Sequence, residues 1–89
     1  MQEVYEELLG HMKDHAVLGK YLQGHLPEWP DIFAEDVFNM LSSGEQVLVN
    51  IGLALYNGHR AASFSDIFQL DRENQRRVLN ALALRIREM

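Results

Sequence analysis

The hydrophobic pattern is densest in the middle of the chain. From Gln46 to Tyr56 it is broken only by Asn50 and Gly52 among Val47, Leu48, Val49, Ile51, Leu53, Ala54, Leu55 and Tyr56. Ser42 and Glu45 stand just ahead of this run at capping-box spacing. A hydroxyl there accepts from the backbone N–H three residues on, and the carboxylate reaches back to the cap's own N–H. The pattern predicts a helix over Ser43–Tyr56, closed at Asn57-Gly58, where a left-handed residue is easily accommodated. A helix this apolar on every side belongs in an interior, wrapped by its neighbours.

Ahead of it, Val4, Leu8, His11, His15, Leu18, Leu22 and His25 step by four and three, and Tyr5, Leu9, Met12 and Ala16 widen the stripe. That periodicity predicts a helix from Gln2 to about Gly24. Glu3, Glu6 and Glu7 fall in its first turns, where carboxylates suit the positive end of the helix dipole. Gly10 and Gly19 each cost a helix interior about 1 kcal/mol against alanine, so the helix can break at either. Leu26-Pro27-Glu28-Trp29-Pro30-Asp31 is a connector, because proline ends a helix and extends the residue before it. Trp29 is expected to lid the core. A short helix is expected from Asp31 to Leu41, burying Phe33, Val37, Met40 and Leu41.

His59 to Ala62 reads as a loop. Ser63 and Asp66 open a single short turn whose Phe64, Ile67 and Phe68 are expected to point inward. Asp71 caps a last helix from Arg72 to about Glu88. On it Leu79, Leu82, Ala83 and Ile86 form an i, i+3, i+4, i+7 stripe toward the core, with Glu73, Arg77, Asn80, Leu84 and Arg87 opposite. No repeat, low-complexity run or alternating strand pattern interrupts the series. The expected fold is all-α: one domain over residues 1–89, a compact bundle of four main helices plus one short helix, with the 43–56 helix central.

Eighty-nine residues support one modest core and no more. The chain has no cysteine, which excludes disulfides and thiolate metal sites and fits a reducing compartment. No basic start followed by an apolar run marks a leader, and no apolar stretch is long enough to cross a bilayer. A cytoplasmic protein without membrane association is expected. The net charge of −5 is unevenly placed. Residues 1–45 carry nine acids against Lys13 and Lys20, and residues 46–89 carry four acids against six arginines. Opposite charge on the two halves fits a charged partner or head-to-tail self-association.

Candidate chemistry is sparse. His11 and His15 have the i, i+4 spacing of a metal pair on a helix, but a zinc site needs a third ligand and none is in register. They read instead as flanks of the hydrophobic stripe, with a pH-sensitive packing contact as the functional version. No nucleophile elbow, phosphate loop or dinucleotide fingerprint is present, and the serines near position 42 are explained as caps. No enzymatic activity, metal or cofactor is expected.

Leu41-Ser42-Ser43-Gly44-Glu45 with its apolar helix resembles the signature motif of ABC-type ATPases, particularly their chromosome-maintenance and repair branch. Leu70-Asp71-Arg72-Glu73-Asn74 followed by Arg77-Val78 is similar to the segment just past their second nucleotide motif. In that family the signature serine and glycine contact the γ-phosphate of ATP held by the partner subunit, and Ser42, Ser43 and Gly44 are the matching positions. The chain lacks the phosphate loop and the apolar run ending in Asp-Glu that complete such a site. The resemblance therefore does not carry ATPase activity with it.

The functional expectation is a non-enzymatic interaction module, an adaptor, regulator or inhibitor that binds another macromolecule through a helical face. A protein partner or self-association is expected, through Arg72, Arg76, Arg77, Leu84 and Arg87 on the last helix. Leu84 would be an apolar residue exposed among arginines, which suits an interface. The alternative is nucleic-acid binding, with the arginine-rich start of that helix presented in a helix-turn-helix-like arrangement. A lesser reading has the acidic face of the first helix and the 28–36 segment occupying a partner's basic groove, against a merely solvated surface as the default.

Overall fold

The computed structural model describes residues 2–22, 36–57 and 63–88. Four α-helices appear there: α1 (Gln2–Leu9), α2 (Ser43–Asn57), α3 (Phe64–Phe68) and α4 (Arg72–Glu88). Three 3-10 turns join them, at Gly10–Met12, Gly19–Tyr21 and Phe38–Met40. The fold is all-α, with three longer helices and one short one among the described residues. The radius of gyration is 11.9 Å, close to the roughly 12 Å of a compact chain this long. Trp29, His25, Phe33, His59, the 26–31 connector and the 59–62 loop lie outside the described residues.

The expected first helix is cut short. α1 stops at Leu9, whose backbone leaves the helical region at φ −124° and ψ −7°. Gly10 follows and the chain tightens into 3-10 geometry, as a glycine in that place allows. Further on it folds back so closely that a Cβ on Gly19 would lie 2.7 Å from the Lys13 carbonyl oxygen. Only glycine fits that crossing. The bend lets Met12, Leu18, Tyr21 and Leu22 all reach the core beside Val4, Tyr5, Leu8 and Leu9. The Tyr5 hydroxyl donates to the Leu22 carbonyl and fastens the returning segment to α1. His11 and Ala16, on the expected stripe, are exposed because the helix that would have aligned them has ended.

Of the expected 31–41 helix, residues 36–41 are described and form a 3-10 turn rather than an α-helix. Asp36 has a positive φ of 59°, a left-handed conformation that aspartate tolerates better than most residues. Val37 and Leu41 are buried as expected, whereas Met40 is 69% exposed. The Gln46 side-chain amide donates to the Phe38 carbonyl at 2.9 Å, tying this turn to α2.

α2 begins with the expected capping box. Ser42 N–H donates to Glu45 Oε1 at 2.9 Å, and Glu45 N–H donates to Ser42 Oγ at 3.2 Å. From Gly44 to Leu55 no residue is exposed, and Leu48, Val49, Ile51, Gly52 and Leu53 are buried. Inside this covered helix Asn50 keeps a buried Oδ1 with no hydrogen-bond partner among the described residues. α1 and α4 make the most extensive helix–helix contact, and α2 packs across both.

α3 and α4 depart from their expected facing. Ser63 and Asp71 cap them as expected, accepting from Asp66 N–H and Asn74 N–H. Yet in α3 only Ile67 packs on the core, while Phe64 and Phe68 are 75% and 73% exposed. In α4 the core row is Val78, Ala81, Leu82 and Arg85, one residue earlier than the expected 79, 82, 83 and 86. One residue is a rotation of about 100° about the helix axis. Leu79 and Ile86 are consequently 63% and 67% exposed, and Ala83 is exposed too. Leu84, expected outside, is half-buried against the core.

Side-chain bonds to other elements hold α4 in this rotation. Arg85 Nε donates to the Leu55 carbonyl at 2.9 Å, satisfying an acceptor in the last turn of α2. Asn80 Nδ2 donates to Glu7 Oε1 at 2.9 Å. Gln75 Nε2 donates to the Phe68 carbonyl at 3.0 Å. The small, wholly buried Ala81 sits on the inward side, where a larger residue would push neighbouring helices apart.

Candidate functional site

Among the described residues two places gather candidate side chains: a polar cleft at the start of α2 and the outward flank of α3 and α4. The cleft, about 380 Å³, lies between the Gly10–Met12 turn, the α2 cap and the Gln69–Asp71 turn. Its walls include His11, Ser42, Glu45, Gln69, Asp71 and Asn74.

Most of those polar atoms already have structural work. Ser42 and Glu45 cap α2, and Asp71 Oδ1 caps α4 by accepting from Asn74 N–H at 2.8 Å. Glu45 Oε2 also lies 2.8 Å from His15 Nε2. His15 Nδ1 accepts from the backbone N–H groups of Val17 and Leu18 at 3.0 and 3.1 Å. Those two donors fix the tautomer: the ring proton sits on Nε2 and is donated to Glu45. Burial raises the Glu45 carboxyl, but the Ser42 N–H and the His15 ring act against it, and the net shift is downward. His15 thus caps its own turn with one nitrogen and joins that turn to α2 with the other.

His11, four residues before, does not share a helix face with His15 because α1 has ended between Leu9 and the 3-10 turn. Its imidazole is pushed below the usual histidine value by desolvation against the cleft wall. Arg77 adds to that, and Glu73 and Asp71 partly offset it. Among the described residues no group of three or more His, Asp or Glu side chains could hold a metal ion.

On the other flank the expected site residues separate into two groups. Arg77 turns inward and is half-buried, with Nη2 2.9 Å from Glu73 Oε1 and Nη1 donating to Asn74 Oδ1 at 2.8 Å. Leu84 faces the core. Arg72, Arg76 and Arg87 remain on the surface, and none of them forms an ion pair among the described residues.

Beside those three guanidinium groups lie the residues that periodicity had assigned to the interior. Arg72, Arg76, Leu79, Ala83 and Ile86, spaced by four, three, four and three, form one exposed row along α4. Gln75, one turn before Leu79, donates to the carbonyl of Phe68, the last residue of α3. On α3 the Phe64 and Phe68 rings stack with centroids 6.4 Å apart and planes 20° from parallel. Four large apolar side chains on two consecutive helices are therefore open to water. The four-three spacing of the row was visible in the sequence. Nothing local to it, however, distinguishes a row that faces solvent from one that faces the core.

No helix among the described residues is long and apolar enough to cross a membrane. Neither a protein family, a curated protein nor a solved structure matches this chain.

Proposed function

We propose that this protein is a non-enzymatic interaction module that binds another protein through the outward flank of α3 and α4. The observation that carries the reading is the exposure of Phe64, Phe68, Leu79 and Ile86, each 63–75% open to water. Single exposed leucines are ordinary. Here four large apolar residues are exposed on two helices joined by a three-residue turn, Phe64 and Phe68 stacked on one and Leu79 and Ile86 in one row on the other, and exposed apolar surface gathered in this way suits a contact. Fully covering one such side chain contributes about 1.5–3 kcal/mol, so a partner that covers several gains a substantial driving force.

Duplex recognition has less support. Arg72 and Arg76 are open at the start of α4, but the other three side chains of the expected reading head are engaged within the protein. Asn74 accepts from Arg77, Gln75 donates to Phe68, and Arg77 pairs with Glu73. The exposed acids Asp66, Asp71 and Glu73 stand at the same end of the helix, so that end offers two arginines on one row, enough for a pair of carboxylates, and not the broad basic face of a duplex binder.

The test is affinity capture from the native host with the wild-type chain and with the Leu79→Glu/Ile86→Glu double variant, after confirming equal helical content. A protein retained by wild type and lost from the variant, in the presence of nuclease, supports the reading. Equal recovery on both baits refutes it.

A further inference from the structure

We infer that the occupant of this surface is an acidic amphipathic helix, its apolar stripe laid over Leu79, Ala83 and Ile86 and its carboxylates over Arg72 and Arg76. This rests on the preceding reading of α3 and α4 as a contact surface and adds the chemistry of what is bound.

The geometry of the row selects a helix. Positions 72, 76, 79, 83 and 86 alternate steps of four and three, the seam pattern through which two helices pack side by side at a shallow angle. Fourteen residues separate its ends, about 21 Å at 1.5 Å per residue, which a partner helix of about four turns would span. Ala83 falls between Leu79 and Ile86, and its small side chain leaves a hole into which a partner's larger residue can fit.

The charge along the row selects acids. Its first two positions are Arg72 and Arg76, both exposed and without ion pairs among the described residues. They stand in the first turns of a 17-residue helix, where the dipole already places partial positive charge. Arg77 is neutralised by Glu73 on the inward side, and Arg85 bonds the Leu55 carbonyl. Arg72 and Arg76 are left for a partner. Arg87, next to Ile86, extends the positive border to the far end.

A second copy of this chain fits less well. Among the described residues the acidic helix is α1, whose exposed positions are Gln2, Glu3 and Glu6 with no large apolar residue among them. Glu6 also accepts from Gln2 and Lys13. That face offers charge and nothing to cover Leu79 and Ile86.

Selection of a displayed library of random 16-residue peptides on the immobilised protein tests this. Enriched sequences should carry apolar residues at three–four spacing with Asp or Glu concentrated at one end. By fluorescence anisotropy, the selected peptide should bind the Arg72→Glu/Arg76→Glu variant at least tenfold more weakly. Exchanging its acids for lysine should restore binding to that variant. Binding to the Leu79→Glu/Ile86→Glu variant should be lost. Enriched peptides that are basic or uncharged, yet still lost on the Leu79→Glu/Ile86→Glu variant, overturn the acidic partner while leaving the surface standing. Peptides that bind both double variants as well as wild type overturn the surface too. A concentration-dependent dimer in sedimentation that the Leu79→Glu/Ile86→Glu change abolishes overturns the foreign helix in favour of a second copy.

Discussion

Val78 and Leu79 are neighbours in sequence and opposites in environment, and replacing each by alanine measures the rotation of α4 directly. Val78 is fully buried, and Leu79 is 63% exposed. Val78→Ala removes two methyl groups worth about 0.8 kcal/mol each in area. The cavity left behind adds on the order of 1 kcal/mol. Alanine's better helix propensity returns about 0.5 kcal/mol, so the net loss is about 2 kcal/mol. Leu79→Ala removes three carbons, worth about 2.4 kcal/mol if they were wholly buried. With 63% of the residue in water, the loss shrinks to under about 1 kcal/mol. Urea unfolding followed by circular dichroism at 222 nm gives both differences, provided the slope against denaturant is unchanged. If α4 instead faced the core with Leu79, that substitution would cost about 2–5 kcal/mol. A Leu79→Ala loss equal to or larger than that of Val78→Ala refutes the facing described here.

Other substitutions address the turns and the caps. Gly19→Ala places a Cβ 2.7 Å from the Lys13 carbonyl oxygen, and the required backbone shift should lower stability by about 1–3 kcal/mol in urea unfolding. Tyr5→Phe removes the hydroxyl that donates to the buried Leu22 carbonyl and should cost about 1–3 kcal/mol by the same measurement. Glu45 has a carboxyl held below its ordinary value, so the stability it adds is fully present above about pH 4.3 and fades as the pH falls through its lower folded value. A pH series of unfolding free energies should show this loss on the acid side, and Glu45→Gln should flatten that part of the curve.

Locally encoded features were legible in the sequence. The Ser42/Glu45 box, the caps at Ser63 and Asp71 and the break at Gly10 each involve residues within a few positions of one another. The coverage of α2 from Gly44 to Leu55 followed as well, because so apolar a run leaves no side suited to water, although Tyr56 at its end is 42% exposed. The facing of α4 could not be read this way. Rows 78, 81, 82, 85 and 79, 82, 83, 86 differ by one residue, and both are rich in apolar side chains. The observed row is the one in which Arg85 bonds Leu55, Asn80 bonds Glu7 and Gln75 bonds Phe68, and two of those bonds connect residues far apart in sequence. Phe64 and Phe68 illustrate the same limit. Apolar character predicts burial only when an element has a neighbour to bury it, and a five-residue helix anchored by Ile67 leaves its other sides uncovered. The candidate site was half visible: Arg72, Arg76 and Arg87 lie on the surface as expected, while Leu79 and Ile86 take the place anticipated for Leu84.

The outward row of α4 is open to direct chemical test because the chain contains no cysteine. Each of Leu79→Cys, Ile86→Cys, Val78→Cys and Ala81→Cys supplies the only thiol in its variant, and its reaction with an aromatic disulfide reagent reports access in the native protein. The first two variants should react within roughly tenfold of their rates in denaturant, and the last two roughly a hundredfold or more below theirs. Slow labelling at positions 79 and 86 with fast labelling at 78 and 81 would contradict the outward row and the contact surface built on it.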